Sequence, residues 1–142
     1  MTRASGQTFR GCPLVSGSAS GPALVLEEPL SFWGGVDSST GRIVDPRHPQ
    51  SGMSVRGCVL LMPSGRGSSS SSSVVAEAVR AGTAPAALLL LKTDEILALG
   101  AVVAQELYGR TMPVLLLGEE AYRSISTGDL VEVCPSGDVR VK

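Results

Sequence analysis

The sequence predicts an α/β domain: a small parallel sheet with helices, and a second, antiparallel β layer. Three observations predict it. Continuous apolar runs at 58–62, 86–91 and 112–117 have the length and composition of strands covered on both faces. Helical stripes lie between them, and strand, helix, strand, helix, strand at this spacing implies right-handed βαβ units. Shorter strand-like segments, broken by Ser, Gly and Pro, flank this unit on both sides and supply the antiparallel layer.

Composition bounds the rest. A chain of 142 residues, 43% apolar, is sized for one domain with a real core, and with only 4% aromatics that core is Val, Leu, Ala and Ile. The net charge of −1 is scattered, with no basic and aromatic face for nucleic acid. The longest apolar run, 84–91, is too short to cross a bilayer. Residues 1–10 carry no apolar signal-peptide core, so the reading is a cytoplasmic protein without a membrane partner. Cys12, Cys58 and Cys134 are far apart and odd in number, without CxxC or Cys/His spacing. They read as buried free thiols in strands, not as metal ligands.

In chain order, 8–15 and 21–28 read as two strands around the Ser/Gly-rich turn 16–20. Residues 30–49 form a long irregular segment holding the only Trp and the only His. A loop of that length is functional or disordered. Phe32, Trp33, Ile43 and Val44 give it apolar anchors, which favours order and makes Asp37, Asp45, Arg47 and His48 candidates for contact with a ligand or partner. Taken singly, His48 reads more simply as a surface histidine, and Asp45 with Arg47 as a local ion pair of small energy.

The strand at 58–62 then runs into Pro63, Gly65 and Gly67, and into six serines, Ser68 to Ser73. Val74, Val75, Ala78 and Val79 continue as a helical stripe, with Glu77 and Arg80 facing outward. After the strand at 86–91, residues 95–107 form an apolar helix with Gly100 for close packing and Gly109 as C-cap. Residues 119–124 make a helical turn, and 130–134 with 139–141 a closing hairpin around 135–138.

The serine turn lies at the carboxyl end of a parallel strand, where ligands bind in such folds. A helix start presents N–H groups and partial positive charge to a carboxylate or phosphate. The serine run also reads as a low-complexity tract, or as one N-capping hydroxyl with solvated neighbours, and the pattern alone gives capping at least the standing of catalysis. A Walker phosphate loop is excluded, because no Gly-Lys-Ser/Thr follows the glycines.

The segments FWGGVD (32–37), GRIVDPRHP (41–49), GRGSSS (65–70) and LGAVVAQELYG (99–109), in this order, resemble the aconitase X family, specifically its small subunit or swivelling domain. The resemblance implies a β/β/α swivelling domain docked over a larger subunit that carries an iron–sulfur cluster, so that no metal ligand lies in this chain. It implies a dehydratase. The substrate is cis-3-hydroxy-L-proline in bacterial members and mevalonate 5-phosphate in archaeal two-chain members. Ten Arg against two Lys suggests a GC-rich mesophilic bacterium, and so the first. Gly67, Ser68 and Ser69 match the Gly-Ser-Ser turn of aconitases, making Ser68 the candidate proton-abstracting base and Ser69 a substrate contact. Val74, Val75 and the extra serines stand where aconitases carry Arg-Glu-His-Ala, which leaves Arg66 as the substitute substrate-binding arginine. A different reading, a phosphoryl-carrier or ligand-clamping module of similar fold, would use His48 as the carrier.

Overall fold

A computed structural model of the chain describes residues 6–66 and 69–142. Among these, eight strands and three helices follow in the order β1 (Thr8–Arg10), β2 (Cys12–Val15), β3 (Ala19–Val25), β4 (Val59–Met62), α1 (Ser71–Ala81), β5 (Ala87–Leu90), α2 (Glu95–Tyr108), β6 (Val114–Leu116), α3 (Glu119–Ser124), β7 (Leu130–Val133) and β8 (Asp138–Val141). The strand order is β1-β8-β7-β3-β4-β5-β6-β2.

β3 joins the two layers. Its first half, Ala19 to Pro22, pairs antiparallel with β7, and its second half, Ala23 to Val25, pairs parallel with β4. From there β4, β5 and β6 run parallel, while β7, β8 and β1 run antiparallel. The expected strand at 8–15 is therefore two strands. It breaks at Gly11, whose N–H donates to the Gly137 carbonyl at 2.8 Å. β1 then pairs with β8 at one end of the sheet order and β2 with β6 at the other. The second expected strand, 21–28, begins at Ala19 and ends at Val25, because Ala19 and Ser20 find partners in Val133 and Glu132.

Side-chain alternation along the strands divides the core in two. Leu60, Met62, Leu88 and Leu90 face the helices, packing with Val75, Val79, Leu97, Ala101 and Ala104. Val59, Leu61, Ala87 and Leu89 face the other way, against Val131, Val133, Val139 and Val141 of the antiparallel layer, with Tyr122 and Ile125 from α3 and its end. Burial on both faces is why these strands read as unbroken apolar runs.

Both crossover helices lie on one face and pack on each other. Gly100 makes this possible: a Cβ there would stand 2.7 Å from both Ser72 O and Val75 Cβ. α2 is capped at its start by Asp94, whose Oδ1 accepts the Leu97 N–H at 3.0 Å, and at its end by Gly109. Glu77 and Arg80 face outward and pair with each other. Of the expected loop anchors, Phe32 and Ile43 are buried, but Trp33 is 57% exposed and Val44 is also exposed. No helix among the described residues is long and apolar enough to cross a membrane.

Candidate functional site

The strand β4 delivers the chain to residues 63–66, beyond the carboxyl ends of the parallel strands. The neighbouring end of β5 meets it there, since the N–H groups of Leu91 and Lys92 both donate to the Pro63 carbonyl, at 3.2 and 3.0 Å. Gly65 comes against the start of α2, where a Cβ would overlap Asp94 Oδ2. Only a glycine lets the strand end and the helix cap share this space.

Gly67 and Ser68, the candidate base among them, lie outside the described residues. The residues on either side are described. Arg66 is exposed, its N–H donates to the Leu30 carbonyl at 3.3 Å, and its guanidinium stands 4.0 Å from the Glu28 carboxylate. Ser69 is exposed, and its carbonyl accepts the Ser72 N–H at 3.3 Å and the Ser72 hydroxyl at 2.9 Å. Ser70 occupies the N-cap position with helical dihedrals and makes no side-chain capping bond. Ser71, the first residue of α1, is 3% exposed, and its Oγ accepts the Trp33 N–H at 3.2 Å.

Electrostatically, the start of α1 differs from the other two. α2 has Asp94 and Glu95 at its N-terminus and α3 has Glu119 and Glu120, whereas the first turn of α1 holds no acidic residue. Its partial positive charge is therefore not answered from within the helix.

The irregular loop divides between two roles. Its beginning reaches the turn, through Glu28, Leu30 and Trp33. Of the four residues singled out from it, Asp37, Asp45 and Arg47 lie in local turns, and only His48 reaches back, to Glu28. Asp37 Oδ1 accepts the Ser39 N–H at 2.9 Å and the Ser39 hydroxyl at 2.7 Å, which holds its carboxyl below the usual range. Asp45 Oδ1 accepts the backbone N–H of Arg47 at 2.9 Å, so this pair is a turn contact and not the expected guanidinium–carboxylate bridge.

His48 corrects the sequence reading most clearly. It is not a surface histidine but only 5% exposed. The Gln50 N–H donates to its Nδ1 at 3.0 Å, which puts the proton on Nε2, and Nε2–H donates to the Glu28 carbonyl at 3.2 Å. With both nitrogens engaged and the ring buried, His48 is not presented for phosphoryl transfer.

Cysteine placement also differs from expectation. Cys12 is exposed, and Cys58 and Cys134 are half-buried; all three are free. Burial pushes the Cys58 thiol up, away from the reactive thiolate form. Among the described residues no group of three His, Cys, Asp or Glu stands close enough to hold a metal ion.

Sequence reasoning missed Glu28 and Asp94, and it named Ser71 only as one of the serine run Ser68 to Ser73. Asp94 carried a local signal, an aspartate directly before an apolar helical run.

The fold and the described flanks of the serines define a class: a three-layer β/β/α domain in which the exposed Ser69 and Ser70 precede a helix on the side of the carboxyl ends of the parallel strands. The aconitase X swivel domain matches residues 8–141, and the chain belongs to that family. It is 54% identical over 106 residues to a cis-3-hydroxy-L-proline dehydratase of Pseudomonas aeruginosa, covering 75% of this chain and 18% of that protein. The chain thus spans less than a fifth of that relative's length. It is 41% identical over 133 residues to a phosphomevalonate dehydratase small subunit of Methanothrix thermoacetophila, covering 92% of this chain and 97% of that one. The crystal structure of Thermococcus kodakaraensis aconitase X in its holo-form superposes with a TM-score of 0.85 at 31% identity, over 96% of this chain and 99% of that one.

Proposed function

We propose that the chain, acting as one domain, is the small, swivelling subunit of a cytoplasmic hydro-lyase. It dehydrates cis-3-hydroxy-L-proline to a pyrroline-2-carboxylate and is inactive without a large subunit that holds the iron–sulfur cluster. The observation that carries this reading is the 54% identity to the Pseudomonas cis-3-hydroxy-L-proline dehydratase.

Ser68 is the base in this reading. It takes the proton from the carbon alpha to the substrate carboxylate, breaking a C–H bond and forming an O–H bond, and loss of the 3-hydroxyl completes the elimination of water. A serine hydroxyl does this only if its alkoxide is stabilised by N–H dipoles, a helix end or a cation. Support comes from the surroundings: an α1 start without acidic residues in its first turn, and the exposed Arg66 just before the serines. Gly67 and Ser69 hold the carboxylate through their N–H groups, and Arg66 through its guanidinium.

A second reading is favoured by one observation. The chain covers 97% of the Methanothrix phosphomevalonate dehydratase small subunit, so the same role with a phosphorylated substrate fits its length.

The test is co-expression with the large subunit and anaerobic assay on cis-3-hydroxy-L-proline and mevalonate 5-phosphate, with the isolated chain inactive on both. Ser68→Ala should lower turnover of the assembled enzyme by about 10²- to 10⁴-fold, the usual share of a general base, while leaving assembly intact. Near-normal turnover by that variant overturns the assignment.

A further inference from the structure

Both arms of the serine turn are tied to one short strap, residues 28–33, by groups that the proposed reaction does not use. On the arm leaving β4, Leu30 bridges Gly65 in parallel and its carbonyl takes the Arg66 N–H. On the arm entering α1, the Trp33 N–H donates to the buried Ser71 hydroxyl. Between these holds the strap is stiff: Ser31 Oγ donates to the Trp33 carbonyl at 2.9 Å, and Leu30 and Phe32 are buried in the core under the helices. Upstream, its path is set by two side chains. His48 holds the Glu28 carbonyl, and the Gln50 amide accepts the Glu27 N–H at 2.9 Å while donating to the Val25 carbonyl at 3.0 Å. The Glu28–Arg66 pair is half-exposed and loose, so it holds little by itself. The bonds made by the buried Ser71 and His48 side chains do the holding.

We infer that Ser71 and His48 are positioning residues for the substrate turn, acting through this strap. Ser71 fixes the arm that leads from the serines into α1. His48 fixes the arm that carries Arg66. What the turn does rests on the hydro-lyase reading; how it is held does not.

The two arms separate in kinetics. Misplacing a reacting group by about 1 Å costs on the order of 10²-fold in rate. In the assembled enzyme, Ser71→Ala should therefore lower kcat per assembled heteromer by roughly 10- to 100-fold with KM little changed, and Ser71→Thr, which keeps the hydroxyl, should restore most of it. His48→Phe, which keeps the bulk and removes both hydrogen bonds, should chiefly raise KM, through Arg66. Counting only assembled heteromer removes losses due to poor folding. Equal damage from Ser71→Ala and Ser71→Thr overturns the inference, as does an unchanged kcat in Ser71→Ala or a His48→Phe effect confined to kcat. Amide hydrogen exchange on the same heteromers reads the hold directly, and exchange at 30–33 and 69–74 should quicken in Ser71→Ala. If the wild-type heteromer turns over neither substrate, the hydro-lyase reading fails and exchange still decides: unchanged rates overturn the strap.

Discussion

At Gly65 the strand end passes so close to α2 that one carboxylate decides which residue fits. A Cβ would overlap Asp94 Oδ2 and stand 3.0 Å from Leu97 Cδ1. Asp94 cannot simply turn aside, because its Oδ1 caps α2 through the Leu97 N–H. Gly65→Ala therefore displaces the cap, at a cost of about 1 kcal/mol. A second effect opposes it. The φ of Gly65 lies outside the left-handed region, so alanine is allowed there, and its smaller unfolded-state entropy favours the fold by about 0.4–1 kcal/mol. The net effect of Gly65→Ala alone is destabilisation of about 0–0.6 kcal/mol, the difference of those two terms. In an Asp94→Ala background the carboxylate and the cap are both gone already, and only the end of the Leu97 side chain, which can shift by a few tenths of an ångström, remains close. There the same substitution stabilises, by roughly 0.4–1 kcal/mol. Urea unfolding of the four chains measures the cycle, and the reversal of sign corresponds to a coupling of about 1 kcal/mol between the two positions. The same effect of Gly65→Ala in both backgrounds would show that the Asp94 carboxylate does not exclude a side chain at 65.

Two further outcomes follow from the packing. Tyr122 is 8% exposed and its hydroxyl has no hydrogen-bond partner among the described residues, so Tyr122→Phe should raise the urea midpoint, by about 1 kcal/mol in stability. Burial pushes the Tyr122 hydroxyl from 10.0 up to about 12, with Arg123 opposing. The unfolded chain thus ionises first, and the tyrosine's share of stability, complete below pH 10, is lost between pH 10 and about 12; Tyr122→Phe should flatten that loss. A lower midpoint for Tyr122→Phe would mean that the hydroxyl is bonded after all. Gly100→Val places new carbon 2.7 Å from Ser72 O and Val75 Cβ and should separate α1 from α2. The expected cost in urea unfolding is about 1–3 kcal/mol, and an unchanged midpoint would refute the close contact.

The parallel layer was legible because its signals are local. Four-residue apolar strands buried on both faces leave an unbroken run in the sequence, and Gly100, Gly109 and 119–124 took the places their chemistry suggested. The antiparallel layer was legible only as strands. Whether 8–15 is one strand or two depends on what its halves pair with, and those partners, Val139 and Leu115, lie more than a hundred residues away. The same is true of β3, whose early start is dictated by Val133 and Glu132 of β7.

The site divides along the same line. The strand end and the helix that follows the serines could be found by reading along the chain, since an apolar run, glycines, serines and a helical stripe occur in one stretch. The groups that hold the turn could not, because each acts across sequence through a backbone atom. His48 reaches the carbonyl of Glu28, and Ser71 the N–H of Trp33, and neither contact depends on the side chain at the far end. A histidine chosen for its ring chemistry thus turns out to be used for its shape and its two nitrogens, locked as donor and acceptor inside the domain. If the serine of a swivelling domain must meet chemistry carried on another chain, its own scaffold has to fix the turn before the two come together. A strap with buried anchors at both feet does so with only one titrating group of its own, the Glu28 carboxylate, which stands 4.0 Å from the Arg66 guanidinium.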